Sequence, residues 1–124
     1  MILDSDVIIE VLRGNPATVG WLRTQRAAGV ALAYSPVSRA EIRACSRPGE
    51  RPAIAGLFGS LAAIPINAST GELAGELLAK YARSHGVQMG DALIAASALE
   101  SGSDLATFNA RHFPGVPRLV KPKR

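Results

Sequence analysis

Short apolar runs alternate along the chain with stretches whose apolar positions recur at helical spacing. Met1-Ile2-Leu3 reads as a strand that ends at Asp4. Val7 to Leu12 is strongly apolar and stops at Gly14, a residue suited to a helix C-terminus. Asn15-Pro16 sets an N-cap and an N1 proline before a helix through Ala28, closed by Gly29. Val30 to Tyr34 reads as a second strand, and Ser35-Pro36 opens a helix to about Ser46. Arg47-Pro48-Gly49 breaks the chain; a helix then reaches about Leu61, and a strand covers Ala63 to Ile66. Ser69-Thr70-Gly71-Glu72 has capping-box spacing and starts a helix to about His85. A helix opened by Asp91 runs to Glu100 and stops at Gly102. Leu105 to Phe108 and Arg118 to Val120 supply the last strands.

Strands separated by helices imply βαβ units. The expected class is α/β, a three-layer α/β/α arrangement around a parallel sheet of four or five short strands. In such folds ligands bind beyond the carboxyl ends of the strands. That is where chemistry is to be sought.

The 124 residues suggest one domain over 1–124. A chain of that size buries roughly two-thirds of its unfolded surface, enough to fold without disulfides or a structural metal. Aromatic residues are only 5%, so the core must be aliphatic and alanine-rich. The single cysteine, Cys45, makes neither an internal disulfide nor a multi-cysteine zinc site and reads as a small buried hydrophobe. A lone thiol suits the cytoplasm. No signal peptide is visible, because Asp4 and Asp6 interrupt the opening. The apolar run Ala53 to Ile66 is broken by Gly56, Gly59 and Pro65 and falls short of the ~20 residues of a membrane span. It reads as buried core. A net charge of +4 favours a polyanionic partner such as nucleic acid.

Asp4 and Asp6 follow the first strand, where they could cap a helix or line a site. Ser38-Arg39-Ala40-Glu41 has capping-box spacing, yet Glu41 falls on the face of Val37, Ala40 and Ala44. A carboxylate on a small-apolar face points inward, where its charge is costly unless paired or metal-bound. Asp91 poses the same choice on an almost wholly apolar helix, aligned with Ile94, Ala95 and Ala98. Converging carboxylates repel unless a cation lies among them, and an all-oxygen set suits Mg²⁺ or Mn²⁺. Thr107 and Asn109 end the fourth strand. Asn109 either positions a metal-bound water or caps a turn over Ala110 to Phe113, and His112 is a base or a structural residue.

Ile2 to Gly14, Ser35 to Glu41, Gly90 to Glu100 and Leu105 to Phe113 resemble, in order, the sequence blocks of PIN domains of the VapC toxin type. The resemblance spans nearly the whole chain. It implies an endoribonuclease dependent on Mg²⁺ or Mn²⁺, usually a homodimer, inhibited by a cognate VapB-type antitoxin. Asp4, Glu41 and Asp91 match the family's three principal acidic positions, as catalytic residues and metal ligands. Asn109 stands where many members have a fourth aspartate; Asp6, Thr107 and Asn109 are supporting candidates. Two alternatives remain. Asp4-Ser5-Asp6 also mimics the nucleophile motif of haloacid dehalogenase-like phosphatases, which gives Glu41 no role. A basic RNA-binding module with capping acids is the other; the basic tail Lys121-Pro122-Lys123-Arg124 favours it, while the alternative reading of such a tail is a merely solvated end.

Overall fold

Side chains along a strand point alternately to opposite faces of a sheet, and here four of the five strands divide their residues between two cores. In the computed structural model, which describes residues 1–124, strand β1 (Ile2–Leu3) sends Leu3 to one core and Ile2 to the other. Strands β2 (Ala33–Tyr34), β4 (Leu105–Ala106) and β5 (Leu119–Val120) repeat the division: Tyr34, Ala106 and Val120 join Leu3, whereas Ala33, Leu105 and Leu119 join Ile2. With β3 (Ala62–Ala63) at one edge, the sheet has the order β3-β2-β1-β4-β5, and every pairing is parallel.

The first face is covered by helices α1 (Ser5–Leu12), α2 (Pro16–Ala27) and α4 (Arg51–Gly59), which contribute Val7, Ile8, Trp21, Leu22, Ile54 and Phe58. The second face is covered by α6 (Met89–Ser101), through Ile94, Ala95 and Ala98; α5 (Ala68–His85) packs against α6 through Ala74. Helix α3 (Pro36–Cys45) joins both cores, with Ile42 in one and Val37 against the other. The expected three-layer α/β/α architecture is therefore observed.

The strands are shorter than the apolar runs that encode them, because neighbouring backbone groups have other partners. Val30 N–H donates to Gln25 O at the end of α2, so β2 begins only at Ala33. Phe108 N–H turns from the ladder to the Asp6 carboxylate, and β4 stops at Ala106. Pro65, which has no N–H, follows Ile64 beyond β3.

Three expectations need correction. Ala53 to Ile66 is not continuous core: only Ile54, Phe58 and Leu61 are buried, since α4 packs one face inward and β3 is an edge strand with both alanines exposed. Cys45 is exposed, at the end of α3. Helix α5 starts earlier than the Ser69-Thr70-Gly71-Glu72 spacing suggested. Its cap is Asn67, whose Oδ1 accepts from Thr70 N–H at 3.2 Å while Thr70 Oγ1 accepts from Asn67 N–H at 3.2 Å.

Replacing an N-cap asparagine with alanine costs about 1 kcal/mol. Urea denaturation should therefore show Asn67→Ala destabilised by about that amount and Ser69→Ala by less; the reverse order would restore Ser69 as the cap.

Candidate active site

Residue Asp4 leaves the central strand and at once enters a helix. Its N–H donates to Ala106 O on β4, and its extended backbone makes it the N-cap of α1. One carboxylate oxygen, Oδ1, accepts from Ser5 N–H at 2.7 Å; the other, Oδ2, accepts from the Thr107 hydroxyl at 2.7 Å. The capping reading thus accounts for half of this carboxylate. Asp6, one step further along α1, accepts from Phe108 N–H on Oδ2 at 3.0 Å, while its Oδ1 is buried with no hydrogen-bond partner. Thr107 Oγ1 lies 3.5 Å from Asp6 but only 2.7 Å from Asp4, so its one proton belongs to Asp4. It also accepts from Asn109 N–H at 2.9 Å, which fixes the chain just after β4.

Charge is expensive in this position. Asp4 is 7% exposed and Thr107 2%. Burial, then the neighbouring Asp6 charge, pushes the Asp4 carboxyl up to about 7, with Asp91 adding to the rise; the bonds from Thr107 and Ser5 oppose it. Asp6 is also raised, mainly by burial, against the opposing effects of the Phe108 N–H and the Arg124 guanidinium.

Glu41 sits mid-helix on α3 and caps nothing, because the N-cap of α3 is Ser35, bonded to Val37 N–H. That removes the capping-box reading of Ser38 and Glu41. The carboxylate is exposed, not inward, and its Oε1 lies 3.1 Å from Ser5 Oγ. Ser5 Oγ is also 2.8 Å from Ser38 Oγ. A carboxylate is the stronger acceptor, so the Ser5 proton goes to Glu41 and Ser38 donates to Ser5. A Cβ at Gly90 would lie 3.6 Å from Glu41 Oε1, so the start of α6 runs directly beside this carboxylate.

Asp91 is the third residue of α6, and its Oδ2 accepts from Gln88 N–H at 3.0 Å. Here the capping reading holds for one oxygen. The same oxygen is 3.5 Å from His112 Nδ1, and that nitrogen is 2.8 Å from Asn109 Nδ2. Asn109 makes no side-chain cap to the turn Ala110–His112, contrary to one of its two expected roles.

Buried Asp4 and Thr107 and half-buried Asp6 therefore form one group at the carboxyl ends of β1 and β4, with Glu41 tied in through Ser5 and Asp91 through its field. No three carboxylates, imidazoles or thiolates stand close enough to form a ready-made cage for one ion. Even so, the donor chemistry fits a hard divalent cation: oxygen ligands only, mutually repelling acids, and a buried Asp6 oxygen with nothing to bind. Ser5 and Ser38 were not singled out from the sequence; their signal is a hydroxyl between two acids and one three residues before a third.

The basic tail is docked on the fold and is not a free solvated end. Lys123 O accepts from the buried Thr18 hydroxyl at 2.8 Å, and Pro122 is buried. The Arg124 guanidinium sits 4.6 Å from the Phe108 ring centroid and 3.7 Å from Glu10 Oε1. Docking of the tail against α1 and α2 is a tertiary contact that no local pattern encodes.

Parallel α/β layers with acids at the ends of the central strands define a class, and sequence comparison gives the family. The PIN domain model matches residues 1–119, and the chain belongs to that family. Two curated relatives from Mycobacterium tuberculosis are of the VapC type. Ribonuclease VapC10 is 39% identical over 98% of this chain and 92% of its own length. Ribonuclease VapC19 is 33% identical, covering 98% of both chains. Among solved structures, a toxin–antitoxin complex from Klebsiella pneumoniae matches with a TM-score of 0.79 at 20% identity, over 98% of this chain and 96% of that one. VapBC2 from Rickettsia felis bound to a promoter DNA fragment matches with a TM-score of 0.78 at 21% identity, over 96% and 94%. These structures share the fold. Family membership sets aside the haloacid dehalogenase alternative.

Between about pH 4 and pH 7 the native protein holds a proton on Asp4 that the unfolded chain has released. Without divalent cations, stability should therefore fall as pH rises through that window and level off above it. The gap from 3.8 to about 7 corresponds to on the order of 4 kcal/mol. Urea melts across this range should show a shallower fall for Asp4→Asn than for the wild type. Identical pH profiles would mean that Asp4 is not the strained group.

Proposed function

We propose that this protein is a metal-dependent endoribonuclease, the toxin of a VapBC-type pair, with Asp4, Glu41 and Asp91 as its catalytic and metal-binding residues. The observation that carries the reading is the desolvated Asp4 carboxylate, braced by Thr107 at the end of the central strand, in a chain 39% identical to a ribonuclease. Asp6, Thr107 and Asn109 support the site.

A bound Mg²⁺ or Mn²⁺ supplies positive charge that lowers the pKa of a water and offsets the charge gathering on the phosphodiester. Asp4, Glu41 and Asp91 would hold it. Thr107 and the Ser5 N–H each occupy one lone pair on a different Asp4 oxygen, which orients the carboxylate and leaves the remaining pairs free. Ser5 aims Glu41, and the Gln88 N–H aims Asp91. In hydrolysis a water oxygen bonds to phosphorus, the ester P–O bond breaks, and the water's proton passes to the departing oxygen.

An antitoxin partner is supported by a second feature. A groove of about 620 Å³ between α1, α3 and α4 is lined by Ile9, Leu12, Ile42 and Ile54, with Ser5 and Glu41 in its wall. A VapB-type segment seated there would cover Glu41. We assign the protein to the cytoplasm, which its lone thiol suits, and to a homodimer, as the family resemblance implies. No helix is long and apolar enough to cross a membrane.

Purified protein incubated with total RNA should cut it when Mg²⁺ or Mn²⁺ is present and stop when EDTA is added. Asp4→Asn, Glu41→Gln and Asp91→Asn should each lose most activity, with little further loss in the double variants. Mn²⁺ should raise the Tm of the wild type and not that of Asp91→Asn. Undiminished cleavage in excess chelator would overturn the metal mechanism. RNA binding without cation-dependent cutting would favour the non-catalytic module.

A further inference from the structure

Away from the acids, on the other side of the contact between α3 and α4, three arginines converge on a hollow of about 280 Å³. It is lined by Arg39, Arg43, Arg51, Ile54 and Ala55. The arginine ion pairs of this protein involve Arg13, Arg118 and Arg124, so none of the three converging guanidiniums has an acidic partner. Arg39 and Arg43 are four residues apart on one helix, a spacing at which like charges repel. A third cation opposite them adds to the repulsion. The repulsion falls when an anion enters.

Arg39 is held in place before any ligand arrives. Its Nη1 donates to the Tyr34 hydroxyl at 3.0 Å, and its guanidinium carbon lies 5.4 Å from the centroid of the Phe58 ring. Tyr34 and Phe58 are both buried, and their rings pack 4.6 Å apart, so the support is part of the core. A guanidinium oriented in advance loses less side-chain entropy on binding, and its planar fork suits phosphate oxygens.

The hollow also shares a wall with the groove that holds Glu41. Glu41 lies two residues from both Arg39 and Arg43, about 200° round the helix, so α3 carries the acid on one face and the arginines on the other. Ile54 lines both this hollow and the groove whose wall holds Glu41. Crossing α3 takes on the order of 10 Å, a distance that a few nucleotides of single strand span.

We propose that Arg39, Arg43 and Arg51 bind the phosphate backbone of single-stranded RNA on the segment flanking the bond that is cut. The proposal rests on the ribonuclease reading for its substrate class and adds where the substrate runs. An acidic protein segment would present carboxylates to the same arginines. The spacing of several guanidiniums without an apolar lining broader than Ile54 and Ala55 favours a repeating phosphate chain.

Binding of a labelled, mixed-sequence single-stranded RNA to the full chain in excess EDTA isolates this contact, since electrostatic binding needs neither a cleavage site nor a metal. Arg43→Gln with Arg51→Gln should weaken binding about tenfold at low salt. It should also lower the slope of log affinity against log salt by roughly 1.4, two phosphates at ~0.7 each. Arg39→Gln should act in the same direction, with a thermal melt reporting any loss of packing on Phe58. Arg23→Gln with Arg83→Gln, exposed arginines on α2 and α5, removes the same charge elsewhere and should change little. Equal losses in both double variants, or no loss in either, would overturn the proposal. So would unchanged RNA binding with weakened binding of a polyglutamate peptide, which would make the hollow a site for an acidic protein. Failure of the wild type to cut RNA with Mg²⁺ or Mn²⁺ would instead defeat the ribonuclease reading, while the binding comparison would still decide the role of the arginines.

Discussion

A carboxylate withdrawn from water at the end of the central strand sets the terms for the rest of this molecule. Asp4 is placed by pairing on both sides of β1, with Ile2 registered to Ala33 on β2 and both β1 residues to Leu105 and Ala106 on β4. Those pairings carry Thr107 to hydrogen-bonding distance of Asp4 and bring Phe108 N–H to Asp6. The same hydrogen bonds that end the ladder therefore build the acidic site. Burial raises the Asp4 carboxyl to about 7, and the fold tolerates this because both oxygens retain a donor. A polar group buried with partners costs far less than one buried alone. Asp6 Oδ1, which lacks one, is the remaining exception.

The acids divide into an inner part, with Asp4 buried and Asp6 half-buried, and a rim. Asp4 and Asp6 are held by backbone and threonine donors, whereas Glu41 is exposed on α3 and Asp91 sits at the first turn of α6. The rim depends on helix packing, since the start of α6 runs beside Val37 and Glu41, where even a Cβ at Gly90 would make ordinary contact. Capping and site-building are not competing roles for Asp4 and Asp91. A carboxylate has two oxygens, and each acid spends one on a helix N–H. Helix starts at the carboxyl ends of parallel strands thus present aspartates to a common cleft.

Helix α3 links the charges of opposite sign. One face carries Glu41 toward Ser5, and the opposite face carries Arg39 and Arg43 toward α4. The net charge of +4 is in this respect not spread evenly: unpaired guanidiniums gather at one hollow, while Arg13 and Arg124 are engaged by Glu10. Opposite charges thus lie on separate sides of one short helix, with the Tyr34–Phe58 pair beneath Arg39.

Periodicity and punctuation were enough to read the parallel α/β class, the order of elements and the helix ends at Gly14, Asn15-Pro16, Ser35-Pro36 and Gly102, because those signals are local and steric. Asp4 stood out as an acid at a strand end and Asp91 as one on an apolar helix, whereas the inward face assigned to Glu41 was not observed, because Ala40, Glu41 and Ala44 are all exposed. Strand lengths were not legible, since they end where Val30 and Phe108 find partners outside the ladder. Nor was the exposure of Cys45, or of much of the Ala53 to Ile66 run, which depends on which face of α4 meets the sheet and on β3 having only one neighbour. The Thr107–Asp4 bond, the Ser38–Ser5–Glu41 relay, the docked Arg124 and the arginine hollow join residues far apart in the chain. Local propensity is set by a residue and its near neighbours, so it selected the elements. Contacts between those elements exist only once the sheet has closed, so tertiary structure alone decided which acids meet, which charges go unpaired and how strongly burial acts on Asp4.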